Sequence, residues 1–204
     1  MVFYFYLSVL ILILGAQIFL RSFRSEPRRT ALISKVKLIF WLILLFQIFW
    51  SGYQIKNQYL IWQKEEATKF LIPPYQPINY FLFYSFGRII FPFLISVVIA
   101  LLFLFLAQHF NRRFEERFFY PEEPYLASTA ILIVGHPLLI IYLASILITA
   151  LLGTLITHHS SLITRFSPYY LWIPLAIFSI IIGRLAIVSN WQWLIELLSD
   201  WKIG

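Results

Sequence analysis

The feature that most constrains this chain is a series of long blocks that are apolar on nearly every face. Residues 38–50 and 94–106 are two of them. A water-facing helix would show an apolar stripe of period 3.6, and a half-buried strand would alternate with period 2. These blocks show neither period, and a lipid solvent asks for such blocks. Composition agrees: 61% of residues are hydrophobic and 12% charged, against about 45–50% and about 25% in a soluble domain. So few charges cannot coat a water-facing surface.

Helices follow from the same blocks. A barrel strand alternates lipid-facing and lumen-facing residues over about 10 positions. An all-apolar run can satisfy its own backbone in lipid only as a helix. The expected fold class is all-α, a polytopic transmembrane helix bundle with five or six membrane-spanning helices plus interfacial segments. The whole chain, 1–204, reads as a single integral membrane domain.

The spans are expected at about 2–20, 36–53, 89–107, 125–157 and 168–188, with an interfacial tail over 191–204. Residues 54–77 mix lysines and glutamates with Tyr59 and Trp62, which predicts a helix lying in the interface until Pro73, Pro74 and Pro77 end it. Arg88 and Pro92 interrupt the apolar stretch 78–107, so the third span is placed after Arg88. Within 125–157, Gly135-His136-Pro137 breaks the pattern. One kinked crossing or a short helix followed by a full span would both fit, and two helical pieces are the preferred reading. An unbroken helix of that length would reach about 50 Å.

Lysine and arginine set the orientation. Six cations lie between Arg21 and Lys37 and three more at Arg112, Arg113 and Arg117, against Lys56, Lys64 and Lys69 in the intervening polar stretch. This places the N-terminus outside. The first apolar run has its cations after it, as a retained helix does and a cleaved signal does not. The net charge of +7 is read as this bias and not as a nucleic-acid surface. With no cysteine in the chain, disulfides, thiolate nucleophiles and Cys-based metal sites are excluded.

Candidate chemistry is sparse. Arg88 and Arg184 lie closest to apolar sequence, and with His136 they are candidates for binding a substrate or an anionic lipid. Both arginines can equally snorkel, since a central arginine costs about 2.5–3.5 kcal/mol and a long apolar span outweighs it. Glu122 and Glu123 in Pro121-Glu122-Glu123-Pro124 are candidate catalytic carboxylates; the alternative is helix-start chemistry. Adjacent helical side chains point about 100° apart. A catalytic pair therefore needs a partner from elsewhere, among Glu65, Glu66, Glu115 and Glu116. His158-His159 lacks a third ligand in sequence, so no metal site is expected, and no cofactor motif is present.

From Glu122 onward the chain resembles the C-terminal membrane half of type IV prepilin peptidases. The resemblance rests on Pro121-Glu122-Glu123-Pro124-Tyr125-Leu126-Ala127, then Ile131-Leu132-Ile133-Val134-Gly135 and Leu143-Ala144-Ser145-Ile146-Leu147. Arg165-Phe166-Ser167-Pro168-Tyr169-Tyr170-Leu171 stands where that family has a proline-rich segment before its last span. It covers at most 65 residues and implies a bacterial inner-membrane location. The departures weigh against the family's chemistry: Glu122 stands where the catalytic aspartate belongs, and the only aspartate is Asp200 in the tail. An aspartyl protease needs two carboxylates sharing a proton, so the resemblance implies a non-catalytic relative.

The leading expectation is thus a membrane component without recognisable catalytic machinery, acting on lipid-embedded partners through helix packing. Small residues at Ala144, Ser145, Thr149 and Gly153 offer a face for it. The alternatives are a membrane-embedded peptidase-like enzyme using Glu122 or Glu123, and a small transporter or substrate-capture subunit. The last requires a polar cavity at mid-membrane depth reached by Arg88, Arg184 or His136.

Overall fold

A computed structural model describes residues 2–21, 26–114, 119–159 and 168–188. The tail 191–204 with Asp200, the carboxylates Glu115 and Glu116, and Arg117 and Arg165 lie outside the described residues. Among the described residues all regular structure is helical: α1 (Val2–Arg21), α2 (Glu26–Lys64), α3 (Ile78–Ser85), a π turn (Phe86–Ile90), α4 (Phe91–Arg113), α5 (Glu123–Val134), α6 (Leu139–His159) and α7 (Trp172–Val188), with 3-10 turns at Lys69–Leu71 and Pro168–Tyr170. Two stretches, Ser34–Lys64 and Ile78–Arg113, are long and apolar enough to cross a membrane; α1, α5, α6 and α7 contain shorter apolar helices.

Two elements differ from the sequence expectation. No separate interfacial helix follows residue 53, because α2 runs on as one rod to Lys64. It runs through the polar residues of that stretch, and its far end is covered by the returning chain: Trp62, Ile72 and Phe81 form a small core with Ile55, Tyr59 and Leu71. Nor do Arg88 and Pro92 break the third rod. The N–H of Phe91 donates to Phe86 O, one residue further back than in an α-helix. That widened turn precedes Pro92, whose ring would crowd the carbonyl four residues earlier and which has no N–H to give. α3, the π turn and α4 therefore form one continuous rod.

α5 is the axis of the bundle. Every residue in it except Tyr125 is buried, as befits a helix with no polar face to turn outward. It packs against α4, α2 and α7, while α1 and α6 lie against α7. Small side chains let α4 and α5 approach: Ala100, Ala127 and Ala130 are fully buried, and Ser128 Oγ donates to Ala100 O at 3.0 Å. The outward faces remain apolar, with Leu42, Phe49, Phe83, Phe105 and Leu147 all exposed.

The chain breaks between α5 and α6 at Gly135, whose φ of +62 and ψ of 167 belong to backbone that only glycine adopts readily. Gly183 lets α7 close over this turn, since a Cβ there would overlap the Leu138 side chain. α6 does not extend the axis of α5. Tyr142 Oη donates to Trp172 O at 3.0 Å, and the indole of Trp172 reaches Glu123 at the opposite end of α5. A straight continuation would carry residue 142 about 28 Å from residue 123, beyond the reach of those side chains. α6 therefore folds back.

Candidate functional site

Each end of α5 carries a polar cluster, and the two are about 18 Å apart along its 12 residues. At the N-terminal end Glu123 is completely buried. Its Oε1 accepts from Trp172 Nε1 at 2.7 Å and its Oε2 from the Tyr120 N–H at 3.1 Å. The second bond is a reach-back across the first turn, of the kind that satisfies orphan donors at a helix start.

Glu122 is also buried, and its Oε2 has no hydrogen-bond partner. It lines a crevice of about 100 Å³ with Gln17, Lys35, Tyr169 and apolar side chains of α1, α2 and α5. Gln17 Nε2 donates to Tyr169 O at 2.7 Å, leaving Gln17 Oε1 unpartnered. Neither glutamate therefore points into bulk solvent. Glu65 and Glu66 do not approach them, because Lys64 ends the α2 rod 25 residues beyond Ile39 of that crevice, about 38 Å away. Among the described residues this end brings Glu122 and Glu123 beside each other with no third carboxylate, and Glu123 is committed to bracing α7.

The C-terminal end of α5 opens into a larger cavity of about 250 Å³, walled by α1, α2, the α3–α4 rod and the turn after α5. Gln47, Ser51 and Gln54 line it from α2, Ser96 from α4, Tyr6 from α1, and Gly135 and His136 from the turn. Its floor is built from diverted hydrogen bonds. The His136 N–H, which would serve Leu132 O in a continuing helix, donates instead to Ser96 Oγ at 2.9 Å. Leu132 O accepts from Gln47 Nε2 at 2.7 Å. The Gln47 Oε1 is buried without a partner. Residue 137, the helical donor to Ile133 O, is a proline and has no N–H.

Gln47 lies ten residues after Lys37 and nine before Lys56, the cations that bracket the apolar stretch of α2. At 1.5 Å per residue that is about 15 Å and about 13.5 Å, so Gln47 sits near the midpoint of that apolar stretch. From there the lining residues climb α2 to Gln54, toward the polar connection between α2 and α3.

Of the three residues proposed as substrate or lipid contacts, the bundle brings only His136 to this cavity. Arg88 is exposed on the π turn and Arg184 on α7, and neither lines either cavity. His158 and His159 close α6, their side chains outside those described. Among the described residues no group of three His, Asp or Glu side chains could hold a metal. Sequence reasoning missed Gln17, Gln47 and Ser96. The available signal was a lone polar residue inside an apolar block, which costs free energy unless it is paired. Comparison with protein-family models, curated proteins and solved structures finds no match for this chain.

Proposed function

We propose that this chain is a polytopic integral membrane protein that captures or passes a small polar solute through the cavity at the broken end of α5. In this reading α1, α2, the Ile78–Arg113 rod and α7 cross the bilayer. α5 and α6 form the fifth membrane element, broken at Gly135-His136-Pro137. The observation that carries the reading is non-helical backbone at the depth of Gln47, facing a polar cavity. At membrane depth such backbone is tolerated only where protein buries it or water reaches it.

The absence of cysteine makes the test direct. Ser51→Cys and His136→Cys should react with a membrane-impermeant thiol reagent in sealed vesicles, whereas lipid-facing Leu45→Cys and Phe105→Cys should not. If residues 51 and 136 prove as inert as 45 and 105, the cavity is dry and the reading fails.

Partner binding is the second reading, supported by α6: of its described side chains only Leu139 and Tyr142 are buried, and Ile140, Leu147, Leu151 and Leu155 stay exposed. Cross-linking through Leu147→Cys and Leu151→Cys that captures only lipid would count against it. We also propose that kinship with prepilin peptidases is ancestral and non-catalytic. Its support is that Glu122, which stands at the family's catalytic position, meets no second free carboxylate among the described residues to share a proton with, since both oxygens of its neighbour Glu123 are taken by Trp172 and Tyr120.

A further inference from the structure

The floor of the larger cavity presents oxygens that the helix itself does not satisfy. Gln47 donates one amide N–H to Leu132 O, hydrogen-bonds the Tyr6 side chain, and leaves Oε1 buried and unpartnered. Ile133 O lacks the helical donor, because residue 137 is a proline. Ser96 Oγ already accepts from His136 N–H and donates to Pro92 O, so its hydroxyl proton is not available to either oxygen. The carbonyl end of α5 points here too, and the last turn of a helix carries partial negative charge. Unsatisfied acceptors in a buried place cost free energy until something positive meets them.

From this convergence we propose that the floor of the cavity is a monovalent cation site, formed by Gln47 Oε1 and the carbonyl end of α5. The inference rests on the preceding reading, that the cavity is wet. The charge of the ligand follows from the walls: among the described residues no aspartate or glutamate lines the cavity, and divalent calcium and magnesium are held through carboxylates. Neutral oxygens suit a single positive charge, and no described lysine or arginine stands in the wall to repel it. The same geometry suits a metal cation and a protonated primary amine. The arrangement follows the general chemistry of discontinuous membrane helices, whose half-helix C-terminal ends and unwound carbonyls coordinate cations.

The test uses the full chain purified in mild detergent and exchanged into choline chloride, whose quaternary cation has no N–H to donate. Sodium chloride, potassium chloride and ethylammonium chloride are then titrated at constant ionic strength. Thermal unfolding is followed by tryptophan fluorescence, and equilibrium binding by radiolabelled sodium and ethylamine. The expected result is a saturable rise of several degrees in the unfolding midpoint with at least one of the three cations, because a ligand of the folded state stabilises it by mass action. A response to sodium or potassium assigns a metal cation, and a response to ethylammonium alone assigns a protonated amine.

Gln47→Met, which keeps the side-chain length and removes the oxygen, should weaken the apparent affinity at least tenfold. Identical midpoints in all four salts, together with no saturable binding to the unsubstituted chain, would overturn the proposal whatever the variant does. If thiol labelling still reaches residues 51 and 136 in that case, only the cation assignment falls. If labelling fails as well, the wet cavity falls with it.

Discussion

Replacing Trp172 with phenylalanine isolates the contact that ties α7 to the start of α5. Phenylalanine keeps an aromatic ring against Phe103, 5.3 Å away between centroids, but removes the N–H that Glu123 Oε1 accepts at 2.7 Å. A hydrogen bond to a charged group contributes about 1.5–3 kcal/mol, and Glu123, completely buried, has no water to replace it. For a chain of this size each kcal/mol moves the unfolding midpoint by roughly 2–4 °C, so Trp172→Phe should lower it by about 3–12 °C.

The assay is thermal unfolding in detergent, read by the six tryptophans that remain of seven. A second series carries Glu123→Ala, where the indole has no acceptor to lose. An equal penalty in both backgrounds would refute the account of Glu123 as a buried, donor-dependent brace.

Gly135→Ala should destabilise by about 1–3 kcal/mol, the cost of holding a side chain in a glycine-only conformation. The nearest atoms to a Cβ there are Ser96 Oγ at 3.7 Å and Leu132 O at 3.8 Å, so the penalty is conformational and not steric. Gly52→Ala, with nothing within 4 Å of the new Cβ, serves as the control and should stabilise α2 by up to about 1 kcal/mol. Equal effects of the two in unfolding scans would show that the break after α5 is not under glycine control. Glu122→Gln should stabilise by about 1 kcal/mol, because the amide brings a donor into the crevice where Gln17 Oε1 has none. A lower midpoint for that variant would mean that the Glu122 carboxylate already has a favourable partner in the native protein.

The all-helical class was legible from the apolar blocks alone, because side-chain polarity is a property of each residue and a long apolar run without period-2 alternation can pair its own backbone only as a helix. The break at Gly135-His136-Pro137 was legible for a similar local reason: a glycine at positive φ and a proline without an N–H interrupt a helix wherever they stand. The continuity of the third rod was not. Arg88 and Pro92 read as an interruption, yet a π turn absorbs the proline by widening one hydrogen-bonded turn, from the Phe91 N–H back to Phe86 O, a choice that depends on how the rod packs on both sides of it. The site was legible only in part. His136 could be named as a candidate, but Gln47, Ser96 and Gln17 are single polar letters in apolar text, and only packing decides which carbonyl each one meets. Gln47 reaches Leu132 O across 85 residues and Gln17 reaches Tyr169 O across 152. The polarity of a residue is local, whereas the partner that satisfies it is a matter of distance in space.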